Sequence, residues 1–334
     1  MSRFMPDRFT IMLVCTVILA SILPIHGVWA GYFGIATNIA IGALFFLHGA
    51  RLSRDVVIAG VLHWRLHLTI LLTTFALFPL LGLAAGFIPE SILPAPLYMG
   101  ILFLTVLPST VQSSIAFTSM AGGNVPAAIC SASGSNLFGI VLTPLLAGLM
   151  MSANGSTGIS LDAVQTIVLQ LLAPFVAGQI LQPWIGDWIR ARKKLLMPVD
   201  RGSILMVVYG AFSEAVIEGL WHTFSLTDIA AVIVVDIVLL ALVLIITMYG
   251  SRALGFSKED EITITFCGSK KSLASGVPIA NAIFAGQSVS IGAIVLPIML
   301  FHQIQLMTCA VIAQKYAERL KRKADTTEAK PAAA

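Results

Sequence analysis

The sequence predicts an all-α integral membrane protein with ten transmembrane helices, and three observations lead to that prediction. First, 57% of the 334 residues are hydrophobic and only 11% are charged, whereas about a quarter of the residues of a soluble domain are charged. Second, the mean hydropathy of +0.93 indicates that lipid surrounds most of the chain. Third, basic residues recur only in alternate loops. These observations exclude a soluble domain, and no nucleic-acid partner is expected despite the net charge of +4.

The ten predicted spans follow from cutting the chain at its charges, prolines and glycines, because a bilayer core needs about 20 apolar residues per helix. They lie at about residues 9–25, 32–50, 66–88, 97–120, 125–151, 161–183, 202–220, 227–250, 261–284 and 288–313. Residues 314–334 form a polar, Ala-rich segment that is expected to be a disordered cytoplasmic tail.

The orientation follows from the basic residues, because cytoplasmic loops collect Lys and Arg. All but two of them lie at the N-terminus, in the loops after spans two, six and eight, and after span ten. The residues at these places are Arg3, Arg8, Arg51, Arg54, Arg65, Arg190, Arg192, Lys193, Lys194, Arg201, Arg252, Lys258, Lys315, Arg319, Lys321, Arg322, Lys323 and Lys330. Both termini are therefore expected in the cytoplasm, and the bacterial inner membrane is the expected location.

Two spans contain a polar break of small residues. Span four reads L-P-S-T-V-Q-S-S at residues 107–114, and span nine reads G-S-K-K-S-L-A-S-G-V-P at residues 268–278. The breaks lie five spans apart, and an odd number of spans per repeat places the second copy upside down in the membrane. The chain is therefore expected to consist of two inverted five-helix repeats, residues 1–160 and 161–313, followed by the tail.

The chain also resembles the bile acid:sodium symporter family, most closely its prokaryotic SBF-like branch, over about residues 9–313. The stretches that carry the resemblance are the two breaks, F-A-L-F-P at 75–79, G-N-V at 123–125 and T-P-L-L at 143–146. The resemblance implies that spans one, two, six and seven form a panel and the others a core. It also implies that the broken helices four and nine cross near the membrane centre, and that an organic anion moves as panel and core rock against each other.

Broken helices mark the expected binding site, because unpaired backbone groups persist in a membrane only where protein, water or a ligand satisfies them. The candidate substrate- or ion-binding residues at and around the breaks are Thr74, Gln112, Ser113, Ser114, Ser133, Asn136, Lys270, Lys271 and Ser272. No other cofactor is expected, and the four widely separated cysteines indicate neither a disulfide scaffold nor a zinc site.

The resemblance places several residues at the sodium-binding positions of the family. Ser113 and Ser114 stand where sodium-using members have a Ser-Asn pair, so these two residues are the only candidate metal ligands. Phe266 stands at the place of a glutamate, and Lys270 and Lys271 at the places of a glutamine and an asparagine. Because an ammonium group repels sodium, sodium coupling by the usual route is in doubt, and sodium or a proton remains open as the coupling ion.

Other departures from the family weaken the same site: Thr74 replaces a glutamine, and Ala128 and Ala132 replace hydroxyl residues of span five. A lysine inside the membrane costs about 2.5 to 3.5 kcal/mol and usually has a partner or faces a cavity. The two lysines are thus either paired structurally with carboxylates, or at least one is a fixed cation in the substrate cavity. Glu214 and Asp236 are the candidate charge partners or proton-coupling acids.

The expected function is secondary transport of a small organic anion across a lipid bilayer by alternating access, and no enzymatic activity is expected. Two alternatives stay open from the residues. One is a membrane regulator of ion homeostasis that transports nothing and acts through partners, an alternative that only the basic tail favours. The other is an intramembrane hydrolase built on Ser269, Lys270 and Ser272, because a serine beside a desolvated lysine can be a nucleophile.

Overall fold

The computed structural model describes residues 8–51, 63–153, 168–217, 219, 224–284 and 290–328. All regular structure within these ranges is helical. In chain order the α-helices are α1 (Arg8–Ile22), α2 (Val28–Arg51), α3 (Trp64–Ala85), α4 (Ala95–Val106), α5 (Gln112–Met120), α6 (Val125–Ala153), α7 (Ala173–Ala191), α8 (Lys193–Ile217), α9 (Leu226–Ala253), α10 (Lys258–Gly268), α11 (Leu273–Phe284) and α12 (Ile291–Glu328).

Five described helices, α2, α3, α6, α9 and α12, are long and apolar enough to cross a bilayer. A sixth candidate combines α7 and α8, which are bent by 105° at their junction. Predicted spans four and nine are divided into helices of 9 to 12 residues, which are too short to cross a bilayer singly. The prediction of an all-α protein with several apolar helices is confirmed.

The predicted tail is corrected by the structure, because α12 continues through residue 313 as far as Glu328. The sequence Q-K-Y-A-E-R-L-K-R-K-A at 314–324 is rich in strong helix formers. Extending an existing helix also avoids the cost of nucleation, so a polar composition does not by itself predict disorder here. Residues 329–334 lie outside the described residues.

The helices divide into two groups by their contacts. We call α1, α2, α7 and α8 the panel, because they pack on one another, and the remaining helices the core. Within the panel, α2 and α7 approach so closely that a Cβ at Gly178 would overlap the carbonyl oxygen of Phe46. A Cβ at Gly49 would likewise overlap the carbonyl oxygen of Phe175. Glycine is therefore required on both sides of this crossing.

One end of the core is held by a cluster of charged side chains. Glu261 at the start of α10 accepts hydrogen bonds from Arg252 at 2.9 and 3.0 Å and from Lys258 at 2.6 Å. The hydroxyl of Tyr316 on α12 donates to the same carboxylate at 3.2 Å. The side chain of Ser257 caps the N-terminus of α10. These contacts fix the entry of α10 against α9 and α12, and so position the second break.

Candidate functional site

The first break begins at a proline. Pro108 disfavours helical torsion angles in the residue before it, and Leu107 accordingly adopts an extended conformation with φ −70° and ψ 152°. Helix α4 therefore ends at Val106, and α5 begins only at Gln112. The second break comprises residues 269–272, between α10 and α11.

The two breaks are bonded directly to each other. The hydroxyl of Ser109 donates to the carbonyl oxygen of Cys267 at 2.6 Å, and the backbone N–H of Ser272 donates to the carbonyl oxygen of Pro108 at 2.8 Å. Asn136 on α6 adds a bridge, because its amide donates to the carbonyl of Ser109 at 2.7 Å and accepts from the hydroxyl of Ser275 at 2.6 Å. Two interrupted helices and α6 thus form one hydrogen-bonded unit.

The backbone carbonyls freed at the first break all have partners. Such groups cost several kcal/mol each when they are left unpaired in a membrane. Lys271 donates to the carbonyls of Thr105 and Leu107, and Thr143 donates to that of Val106. Ser272 donates to the carbonyl of Pro108, and Asn136 to that of Ser109. The unwound segment is therefore stabilised by side chains and backbone from two other elements, the second break and α6.

Lys271 lies at the centre of this arrangement. Its side chain is fully buried, and its Nζ donates to the carbonyl oxygens of Thr105 at 2.6 Å, Thr74 at 2.7 Å and Leu107 at 2.8 Å. Nζ also lies 4.2 Å from the centre of the Phe78 ring. Three acceptors match the three N–H donors of an ammonium group, whereas a neutral amine has only two. The surroundings of Lys271 are therefore those that suit an ammonium group, a cage of three backbone carbonyls.

The carbonyl of Thr74 is available because of a local irregularity in α3. Residues Thr73–Leu77 form a π-helical turn, in which each carbonyl bonds to the N–H five residues later. For Thr74 that residue is Pro79, which has no N–H. The hydroxyl of Thr74 bonds back to the carbonyl of Ile70 at 2.8 Å, so this residue contributes its backbone oxygen to the site and not its side chain.

Gln305 on α12 holds the backbone of Lys271 and was not predicted from the sequence. Its side-chain oxygen accepts from the N–H of Lys271 at 2.9 Å, and its amide donates to the carbonyl of Lys271 at 2.8 Å. The amide also contacts Nδ1 of His302 at 2.9 Å. The only feature of the sequence that could have indicated this role is a glutamine inside the apolar span that follows the second break.

Lys270 has the opposite surroundings. It is fully buried, but its Nζ has no hydrogen-bond partner among the described residues. It lies 3.8 Å from the centre of the Phe117 ring and 5.8 Å from that of Phe266. Within the described ranges no serine hydroxyl is hydrogen-bonded to its amine, so the arrangement that a Ser-Lys hydrolase needs is not formed by Lys270 with Ser269 or Ser272.

The two candidate carboxylates do not pair with the lysines. Asp236 on α9 is fully buried, and its oxygens have no hydrogen-bond partner within the part of the chain that the structure describes. Glu214 on α8 is exposed, whereas both lysines have no exposed surface. No carboxylate forms an ion pair with Lys270 or Lys271 in the described ranges.

The hydroxyl groups of the first break form a small cluster. The hydroxyl of Thr110 lies 2.7 Å from that of Ser113 and 2.9 Å from that of Ser114. Ser114 also donates to the carbonyl of Phe266 at 3.1 Å. These oxygens are of the type that binds a small monovalent cation. No group of three or more His, Cys, Asp or Glu side chains that could hold a metal ion occurs among the described residues.

A cavity of about 520 Å³ lies between panel and core beside the breaks. Of the sequence-predicted site residues, it brings together Gln112, Ser113, Ser133, Asn136 and Ser272. The other candidates do not line it: Thr74, Ser114, Glu214, Asp236, Lys270 and Lys271.

The cavity also has lining residues that the sequence did not assign to the site. Thr110 and Ser275 extend the row of hydroxyl groups on the core side. Arg51, Arg190 and Arg201 line the panel side, although in the sequence they only indicated the orientation of the chain. Arginines that mark a cytoplasmic loop can thus also face a cavity, and charge counting alone does not separate the two roles.

Comparison with known proteins identifies the family of the chain. The model of the SBF-like CPA transporter family matches residues 7–318. "Putative symporter YfeH" of Escherichia coli (strain K12) is 54% identical over 311 residues, which are 93% of this chain and 92% of that protein. "Sodium/bile acid cotransporter 7-B" of Xenopus laevis is 26% identical over 317 residues, which cover 93% and 92% of the two chains. "Sodium/bile acid cotransporter 7" of Mus musculus is 27% identical over 276 residues, which cover 82% and 81%.

The family resemblance predicted from the two breaks is confirmed by these matches. The relatives are named as transporters, so the chain is a membrane-embedded transporter and not an enzyme. This protein belongs to the SBF-like CPA transporter family.

Proposed function

We propose that this protein is a secondary transporter of a small organic anion, in which panel and core move against each other to expose the cavity alternately on the two sides of the membrane. In this proposal the chain forms ten spans as two inverted five-helix repeats, residues 1–160 and 161–313. Both termini face the cytoplasm, and the bacterial inner membrane is the proposed location.

The observation that carries the proposal is the pair of interrupted helices bonded to each other beside the cavity. An unwound segment provides carbonyls, hydroxyls and helix ends for a ligand, and it divides a span into halves that can move with different neighbours. The panel contributes one wall of the cavity and the core the other. A ligand held between two such groups of helices is released to either side by a relative movement of the groups.

The names of the relatives support the same class of activity. The Escherichia coli protein is named a symporter, and the Xenopus laevis and Mus musculus proteins are named sodium/bile acid cotransporters. We infer from these names a solute that moves together with another species, and from the mixed apolar and hydroxyl lining an organic anion with an apolar part.

We further propose that the transport cycle does not require sodium. The contacts of Lys271 support this proposal, because a permanently attached ammonium group already supplies a positive charge to the carbonyls of Thr74, Thr105 and Leu107. A sodium ion near this group would meet a like charge at close range in a region of low dielectric constant. A proton remains the alternative coupling ion.

A test that needs no known substrate is thiol labelling of the cavity. In a variant without Cys15 and Cys130, which are at least partly accessible, Ser275→Cys is treated with a membrane-impermeant maleimide from either side of sealed vesicles. We expect labelling from both sides, because the cavity opens alternately. The control is Glu259→Cys on the exposed surface at the start of α10, which is expected to react from one side only.

The result that contradicts the transport proposal is labelling of Ser275→Cys from a single side under all conditions. The sodium proposal has its own outcome in the same assay. Equal two-sided labelling rates are expected in NaCl, KCl and choline chloride, and a requirement for NaCl would show that Lys271 does not replace the coupling ion.

A further inference from the structure

The cavity has two walls of different chemistry. Every Arg, Lys, Asp or Glu that lines it among the described residues is an arginine, and all three arginines belong to the panel. They are Arg51 at the last position of α2, Arg190 in the last turn of α7 and Arg201 near the start of α8. The described core residues of the lining carry hydroxyl, amide, imidazole and apolar groups.

Arg51 and Arg190 lie together at one end of the panel, and Arg201 lies on α8, the helix that follows α7. The ends of α2 and α7 meet at that end of the panel, and Nη1 of Arg190 donates to the backbone carbonyl of Arg51 at 3.3 Å. Helix C-termini favour positive charge, which stabilises guanidinium groups at this place. Arg190 also pairs with Asp187 at 2.7 Å, but that carboxylate is 97% exposed, so solvent weakens the pair and a ligand can compete with it.

Most of the remaining lining is apolar, although hydroxyl, amide and imidazole groups interrupt it. Leu44, Phe45 and Phe175 of the panel and Ile140 and Ile279 of the core are among the apolar residues. A ligand with an acidic group for the arginines and a largely apolar body therefore fits this lining. A volume of about 520 Å³ is within the range that accommodates small organic ligands.

We infer that this cavity binds an amphipathic organic phosphate, whose doubly charged phosphate group is held by the panel arginines and whose apolar body lies between panel and core. This inference rests on the proposed transport function and names the substrate class of the same site. A phosphate dianion has three acceptor oxygens for the planar, two-pronged guanidinium groups. A monocarboxylate offers two acceptor oxygens and one negative charge, so it forms fewer charge-assisted hydrogen bonds with guanidinium groups than a phosphate dianion does.

The experiment measures how tightly the protein in phosphatidylcholine nanodiscs binds four compounds that share a six-carbon chain and differ in the charge of the head group. Hexyl phosphate, hexyl sulfate, hexanoate and hexanol are titrated by calorimetry at pH 8, and empty nanodiscs correct for partitioning. We expect hexyl phosphate to bind about tenfold more tightly than hexyl sulfate or hexanoate, because a charge-assisted hydrogen bond is worth about one decade of affinity.

Variants locate the phosphate. Arg201→Gln is expected to weaken the binding of hexyl phosphate about tenfold and the binding of hexanoate less than about threefold. Arg201→Lys is expected to give an intermediate loss of hexyl phosphate affinity, because lysine keeps the charge but lacks the planar guanidinium group. The matched control is Arg192→Gln, since Arg192 is exposed, stacks 4.5 Å from the ring of Trp188 and does not line the cavity. Unchanged thermal unfolding of each variant confirms that it is folded.

The phosphate ester could be a soluble metabolite or an anionic phospholipid, and a second set of nanodiscs separates these sources. If phosphatidylglycerol in the disc lowers the affinity for hexyl phosphate about tenfold, the lipid occupies the cavity. If it leaves that affinity unchanged, the ligand is a soluble phosphate ester. The inference is overturned if hexanoate binds as tightly as hexyl phosphate, or if Arg201→Gln and Arg192→Gln behave alike. Two-sided labelling of Ser275→Cys would still stand in that case, so failure of this inference is distinct from failure of the transport proposal.

Discussion

Replacing Lys271 by methionine is the most direct test of the carbonyl cage around this residue. Methionine has a similar length and no charge, so Lys271→Met keeps most of the packing volume and removes all three hydrogen bonds to Thr74, Thr105 and Leu107. The three carbonyl oxygens then stay buried without the donor that now satisfies them.

The magnitude follows from the contacts. Three hydrogen bonds to a charged group are worth about 4.5 to 9 kcal/mol in total, at about 1.5 to 3 kcal/mol each. Burying the ammonium group costs several kcal/mol, and this cost disappears in the variant. Removing one partner from a buried charged arrangement usually costs about 3 to 5 kcal/mol net, so we expect a loss of that size. At about 2 to 4 °C per kcal/mol, the unfolding temperature should fall by about 6 to 20 °C.

The matched control is Lys270→Met. This lysine is equally buried and adjacent in sequence, but its Nζ has no hydrogen-bond partner among the described residues. Its replacement leaves no acceptor unsatisfied and removes a desolvated amine, so the unfolding temperature should stay the same or rise. The assay is thermal unfolding of the detergent-purified proteins, followed by the loss of the monodisperse peak in size-exclusion chromatography.

The reasoning is refuted if Lys270→Met destabilises the protein as much as Lys271→Met does. It is also refuted if Lys271→Met unfolds at the temperature of the unchanged protein. In either case the carbonyl cage would contribute nothing specific to the stability of the first break.

Two further predictions concern the framework around the site. Gly178→Ala should separate α2 from α7, because its Cβ would overlap the carbonyl of Phe46; we expect a loss of several °C in thermal unfolding, and none for Gly202→Ala, whose Cβ meets nothing within 4 Å. Glu261→Gln removes a charge-assisted pair with Arg252 at 2.9 Å, and we expect a destabilisation of about 1 to 3 kcal/mol. Thermal unfolding in 50 mM and 1 M KCl checks the second prediction, because the difference from the unchanged protein should shrink at high salt. An unchanged or larger difference would contradict it.

The positions of the two breaks were predictable because their causes are local. Pro108 acts on the residue next to it, and the small polar residues around 268–272 compete with helical hydrogen bonds in their own neighbourhood. Apolar lengths and alternating basic loops are likewise properties of short windows. The class of the fold and the region of the site could therefore be derived from the residues alone.

The roles of the two lysines could not be derived in this way. Lys270 and Lys271 are chemically identical neighbours, and the directions of their side chains depend on how the unwound backbone is held by Gln305, 34 residues further along the chain. The acceptors of Lys271 come from α3 and the end of α4, which only the packed structure brings to one point. The sequence-based hypothesis placed at least one of the two lysines in the cavity, whereas neither of them lines it, and Nζ of Lys271 is surrounded by backbone carbonyls instead.

By itself the sequence determined that this is an all-α membrane protein of the SBF-like type, with polar breaks within residues 107–114 and 268–278. These features depend on composition and on neighbouring residues, which a single chain displays directly. The tertiary structure decided the surroundings of the basic side chains. Lys271 contacts backbone carbonyls, whereas Arg51, Arg190 and Arg201 line the cavity. The physical reason is that hydrogen bonds and cavity walls join atoms far apart in sequence, and their geometry exists only once the helices have packed.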